Sequence, residues 1–101
     1  MSGARSTIKG VTFERQVRRA YEQAGFTVRG LEGEGDHLAL GHGLVIASEC
    51  KRQERLKLPE WWRQCVEDAP DGAVPVLTFR QSRAEMLSVV RTADLLRMVT
   101  R

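Results

Sequence analysis

The chain has 101 residues, 42% of them hydrophobic and 29% charged, with a formal net charge of +3. That length suits one domain of two layers and excludes a separate cofactor domain, and the apolar fraction excludes a chain that stays disordered. No run approaches the ~18 apolar residues of a membrane span, and Met1 to Gly10 carries Arg5 and Lys9 but no apolar segment, so neither a transmembrane helix nor a secretory signal is expected.

Residues 1–8 are small and polar and are expected to form a flexible basic tail, with the folded domain covering 9–101. A first helix is predicted from about Gly10 to Ala24, stopped by Gly25. Phe13, Val17, Ala20, Tyr21 and Ala24 recur at helical spacing and form its apolar stripe, with Glu14 on the edge. Arg15, Arg18, Arg19 and Glu22 fall on the wetter side. Phe26 to Leu31 reads as a first strand, followed by the Gly33-Glu34-Gly35 loop, and Asp36 to Leu40 as a second. Gly41-His42-Gly43 is a hairpin turn, since glycine permits positive φ. Leu44 to Lys51 is the strongest strand, and its apolar start, Leu44-Val45-Ile46-Ala47, suits a central strand covered on both faces.

A second helix is predicted to start near Pro59 and to end at Pro70-Asp71-Gly72. Trp62, Cys65, Val66 and Ala69 give it an apolar stripe. Trp61 then groups with Gln64 and Asp68 on a more exposed side, available for a dimer contact or DNA, or packed against a loop. Val74 to Phe79 reads as a strand, Met86 to Val90 as another beyond a turn at Gln81-Ser82-Arg83, and Thr92 as the cap of a short helix over Asp94 to Val99. The order α-β-β-β-α-β-β-α predicts a single α/β domain, a mixed central sheet flanked by helices.

Thirteen of the sixteen basic residues are Arg. The guanidinium fork suits phosphate, which leans toward nucleic acid, with general solubility as the other reading. Lys9, Arg15, Arg18 and Arg19 form one cluster, and Arg52, Arg55 and Lys57 another. Each is read as a DNA contact in preference to a solvated charged face. Cys50 and Cys65 are isolated and read as reduced thiols of a cytoplasmic protein, without the spacing of a structural zinc site. His37 and His42 read as ordinary surface histidines.

The residues that carry chemistry gather around the third strand. Side chains alternate along a strand, so Glu49 and Lys51 project from one face and Cys50 from the other. Asp36, across the hairpin, reaches the same rim, and Glu14 joins it if the first helix packs over that face. Convergent carboxylates repel one another, and a divalent cation resolves the repulsion. Hard oxygen ligands suit Mg²⁺ or Mn²⁺. Lys51 could then orient or deprotonate an attacking water, or offset charge in the transition state. Glu34, two residues from Asp36, is either an accessory acid or a solvated loop residue.

Asp36, a hairpin, then Glu49-x-Lys51 resembles the core of the PD-(D/E)xK nuclease superfamily, whose fold is restriction-endonuclease-like. More narrowly, Lys9-Gly10, Phe13-Glu14-Arg15, Ala24-Gly25-Phe26 and Gly35-Asp36 resemble archaeal-type Holliday junction resolvases and their phage relatives. The resemblance runs from about Lys9 to Phe79. It implies a small Mg²⁺-dependent endonuclease, with no organic cofactor, acting as a homodimer on four-way DNA junctions in recombination or repair. In a phage-encoded protein the setting would be the host cytoplasm. It further implies that Asp36, Glu49 and the backbone carbonyl of Cys50 hold the metal, that Glu14 completes the site, and that Lys51 is the catalytic lysine. Gln64 matches a glutamine often found after the motif. Gly35 stands where the superfamily pattern has Pro, and Glu34 where archaeal members carry Ser or Thr. Two rivals stay open: an endonuclease of the same superfamily acting on flaps, nicks or a specific duplex sequence, and a non-catalytic DNA-binding module.

Overall fold

Five strands form one sheet in the order β1-β2-β3-β4-β5, crossed on its faces by helices. In this computed structural model the described backbone covers residues 2–30 and 36–101, and the described side chains cover residues 10, 12–30 and 37–101. The elements are α1 (Ser2–Gln23), β1 (Thr27–Gly30), β2 (Asp36–Gly41), β3 (Leu44–Arg52), α2 (Leu58–Asp68), β4 (Val74–Arg80), β5 (Leu87–Val89) and α3 (Thr92–Val99). Helix α1 begins at Ser2 rather than near Gly10, because no proline interrupts the earlier residues and an internal Gly costs only about 1 kcal/mol. Thr92 is the first residue of α3 rather than its cap; Arg91 holds the capping position.

β1, β2 and β3 are antiparallel neighbours, β3 and β4 are parallel, and β5 returns antiparallel to β4. The parallel pair requires a crossover, and α2 supplies it. Between β2 and β3 a two-residue loop, His42 at φ 50 and Gly43 at φ 72, forms the left-handed turn whose twist matches a hairpin. His42 is fixed there by a 2.7 Å bond between Nε2 and the carbonyl of Ala24, and by edge contact with Phe26.

Alternate residues of β4 serve two cores. Leu77 and Phe79 pack with Trp61 and Cys65 of α2, joined by Leu58, Trp62 and Val89. Val76, one residue out of phase, packs with Ala39 and Ile46, joined by Tyr21, Phe26, Val28, Leu44, Val74 and Val90. The sheet is therefore covered by α2 on one face and by α1 on the other, the arrangement its apolar central strands demand.

Within α2 the expected stripe is rotated. Trp61 is buried, 5% exposed, its ring 6.5 Å from that of Phe79, while Trp62 is only half-buried and lies under the Arg91 guanidinium at 5.9 Å. Leu58, Trp61 and Cys65 fall at i, i+3 and i+7, and this row faces the sheet. Trp61 is thus a core residue rather than a spare surface for DNA or a partner. On α1, Phe13 and Val17 are buried as expected, whereas Ala20 and Ala24 are exposed. None of the helices is long and apolar enough to cross a membrane, among the described residues.

Candidate active site at the carboxyl edge of the parallel strands

β3 is apolar where it enters the sheet and charged where it leaves. Ile46 and Ala47 are buried, as are Ser48 and Glu49, before the strand opens toward solvent at Cys50, Lys51 and Arg52. Strand alternation and the parallel register with β4 sort these residues between faces. Ser48 aligns with Val76 on the α1 face, and Glu49 and Lys51 align with Leu77 and Phe79 on the α2 face. Glu49 is 4% exposed, and its Oε1 lies 3.6 Å from Nζ of Lys51. Burying a carboxylate this far is costly unless positive charge or strong donors accompany it.

Across the hairpin, Asp36 stands directly opposite Glu49 in the β2–β3 register. Opposed positions of an antiparallel pair share a face, and like charges there repel. In backbone register the positions of these two acids stand on one face, and the Asp36 side chain lies outside the described residues. An Asp and a Glu at opposed positions, the Glu buried beside Lys51, are residue types whose hard oxygens suit Mg²⁺ or Mn²⁺. Among the described side chains no group of three or more His, Cys, Asp or Glu is close enough to hold a metal ion.

Glu14 arrives from elsewhere. Helix α1 covers the face of Ser48, not that of Glu49, so it does not pack over the Glu49–Lys51 pair. Gln16 on α1 accepts a 3.2 Å bond from Arg80 Nη1 at the end of β4. By helical angle Glu14 sits on the opposite flank of the Val17 row from Gln16, so it is turned toward the β2 side of the sheet. It is half-buried there, at the edge of the stripe as expected. Cys50, whose carbonyl was the further expected ligand, lies between Glu49 and Lys51, half-buried on the α1 face.

The α1 face beneath the site is polar and closed. His37 is fully buried, not on the surface, because its alternation opposite Asp36 turns it under α1 against Tyr21, with ring centroids 5.7 Å apart. Burial pushes the Tyr21 phenol up to about 12, with the Cys50 thiol adding to the rise and a hydrogen bond with Ser48 opposing it.

The expected basic contacts divide by what they already hold. Arg15, Arg19, Arg55 and Lys57 are exposed and Arg18 is half-buried. The Lys9 side chain and Glu34 lie outside the described residues. Arg52 is engaged by the protein itself: Nη1 donates to Glu54 Oε1 at 2.9 Å and to the Arg80 carbonyl at 3.4 Å, and Nη2 to Ser82 Oγ at 3.1 Å. Glu54 also accepts from the Ser82 amide, at 3.0 Å to each oxygen, and from the Ser82 hydroxyl. These donors hold its carboxyl down at about 2, the Ser82 hydroxyl first and Arg52 second. Sequence reasoning passed over this cluster; the alternation of charge at Arg52 and Glu54 was its only trace. Gln64 is exposed on α2.

The chain matches, over residues 5–100, the family described as "Phage putative PDDEXK endonuclease". No curated protein sequence matches it. Among solved structures it is similar to the Holliday junction resolvase Hjc of the archaeal hyperthermophile Archaeoglobus fulgidus, with 26% identity and a TM-score of 0.65, over 81% of this chain and 72% of that one.

Proposed function

The chain belongs to the phage PDDEXK endonuclease family, and from that premise we propose that it is a metal-dependent, structure-selective DNA endonuclease that cuts four-way junctions as a homodimer. The observation that carries the reading is the register of Asp36 opposite Glu49, with the Lys51 ammonium 3.6 Å from the Glu49 carboxylate at the carboxyl edge of the parallel pair. The resolvase described for Archaeoglobus fulgidus supports the choice of junction as substrate.

In this reading Asp36 and Glu49 hold Mg²⁺, with Mn²⁺ able to substitute, the Cys50 carbonyl contributes from the same strand, and Glu14 completes the site from the β2 flank. The cation supplies polarisation of a phosphoryl oxygen and a more acidic water. Lys51 points its ammonium at the scissile phosphate, orients the attacking water and offsets the charge that builds in the transition state. Its pairing with Glu49 keeps that ammonium from swinging into solvent. Arg15, Arg18, Arg19, Arg55 and Lys57, with Lys9, track the phosphate backbone on either side, a contribution that weakens as salt rises. The role of Arg52 is better placed in holding the strand end than in touching phosphate.

The test is cleavage of a synthetic four-way junction with Mg²⁺, comparing wild type with Glu49→Gln. Paired symmetric nicks, absent in the variant and weaker on linear duplex, are the expected result. Equal cleavage by Glu49→Gln would defeat the proposal. Preference for a flap, a nick or a duplex sequence would keep the nuclease and move the substrate, and binding without scission would revive a purely DNA-binding module.

A further inference from the structure

The loop that leaves β3 is fastened more firmly than its exposure warrants. Glu54 is 58% exposed, and an exposed ion pair usually contributes little because ordering two long side chains offsets its attraction. Here one carboxylate receives the Ser82 amide on both oxygens, the Ser82 hydroxyl and Arg52 Nη1, while Arg52 Nη2 closes the ring on Ser82 Oγ. The backbone of the same residue is tied as well, its carbonyl accepting Gln81 Nε2 at 2.6 Å. A second arginine extends the fastening. Arg80 donates through Nε to the Ala84 carbonyl at 2.9 Å and through Nη1 to Gln16 of α1.

All of these contacts lie where the parallel strands end. Arg52 and Arg80 are register partners at the last step of the β3–β4 ladder, and Lys51 immediately precedes Arg52. The clamp thus bears on the residue next to Lys51, tying the end of β3 to the turn that follows β4.

We infer that Glu54, acting through Ser82 and Arg52, is a positioning residue for DNA cleavage: it fixes the end of β3 and thereby the reach of Lys51 toward the scissile phosphate. The inference rests on the nuclease reading above. Displacing a catalytic group by about 1 Å costs up to roughly a hundredfold in rate, so partial loosening of the strand end is expected to cost about tenfold.

The experiment is single-turnover cleavage of a DNA junction by wild type, Glu54→Ala, Glu54→Asp and Ser82→Ala, with Mg²⁺, well below each protein's Tm. Junction affinity is measured separately in Ca²⁺. The expected result for Glu54→Ala is a rate about tenfold lower at saturating enzyme with junction Kd unchanged within twofold, a smaller loss for Ser82→Ala, and partial recovery in Glu54→Asp. A merely structural role would lower Tm and leave the cleavage step alone. Unchanged cleavage rates in both Glu54→Ala and Ser82→Ala, or a loss confined to Kd, would overturn the inference while leaving the nuclease intact. If wild type itself cuts no DNA, the nuclease reading falls and this one with it. Should Glu54→Ala fail to fold, Ser82→Ala alone decides.

Discussion

At the scale of single residues, the chain places ionisable groups where their charge state is held by neighbours. Tyr21 lies between α1 and the sheet, and its phenol is raised from 10.0 to about 12, first by burial and then by the Cys50 thiol. The folded protein therefore keeps this proton at pH values where the unfolded chain has lost it. Linkage fixes the sign: the contribution is fully present below pH 10 and is lost as pH rises toward about 12. Tyr21→Phe is expected to flatten the alkaline limb of stability against pH, at a cost of about 1 kcal/mol for the lost hydrogen bond with Ser48. Urea midpoints from pH 8 to 11 check it, and an unchanged alkaline slope would contradict the assignment. Glu54 works in the other direction. Its carboxyl is held at about 2 against an ordinary 4.5, so its contribution is present above pH 4.5 and fades as pH falls toward about 2.

At the scale of elements, α2 shows where sequence patterning reaches its limit. Adjacent tryptophans at 61 and 62 are 100° apart, and either could head a buried row. Trp62 is compatible with Cys65, Val66 and Ala69, and nothing in the local sequence chooses between the rotations. The choice is made by the partner surface, where Leu77 and Phe79 accept Trp61 and leave Trp62 to the Arg91 guanidinium. The two residues should therefore differ in cost. Trp61→Ala is expected to destabilise by about 3–5 kcal/mol, the range for a large buried aromatic, and Trp62→Ala by roughly half of that or less, since half of its area and a cation–π contact are at stake. Chemical denaturation of both variants decides this, and equal losses would contradict the burial pattern. Strand placement was more legible, because alternation, glycine at the turn and the apolar start of β3 all point the same way. Asp36, Glu49 and Lys51 were legible for the same reason: a period of two and a short hairpin fix their register. Glu14 was legible in its position on the helix but not in which face that helix covers, and the Glu54–Ser82 clamp joins residues 28 apart in sequence that no local pattern connects.

At the scale of the whole molecule, a 101-residue domain with two thin cores has a modest reserve of stability, and a bound cation should register in it. A ligand at ten times its Kd adds RT ln 11, about 1.4 kcal/mol, which corresponds to a Tm rise of several degrees for a domain of this size. Mg²⁺ is expected to raise Tm in wild type, saturably, and not in Glu49→Gln. Thermal unfolding across a Mg²⁺ titration is the measurement. A wild-type Tm indifferent to the ion would instead make the acids partners of surface arginines.

The loop between β2 and β3 holds only His42 and Gly43, both left-handed, and Gly41 already pairs with Leu44. Such a connection has no slack, so the thirteen-residue step from Asp36 to Glu49 acts as a gauge: the turn at one end of the hairpin sets which two positions stand opposite each other at the other. One inserted residue would slide β3 past β2 and, because faces alternate, send Glu49 beneath α1 while leaving a ladder of hydrogen bonds and much of the sheet in place. The distance between a fold and a working catalyst is, in this chain, a single amino acid in a turn five strand residues away, about 17 Å at 3.4 Å per residue.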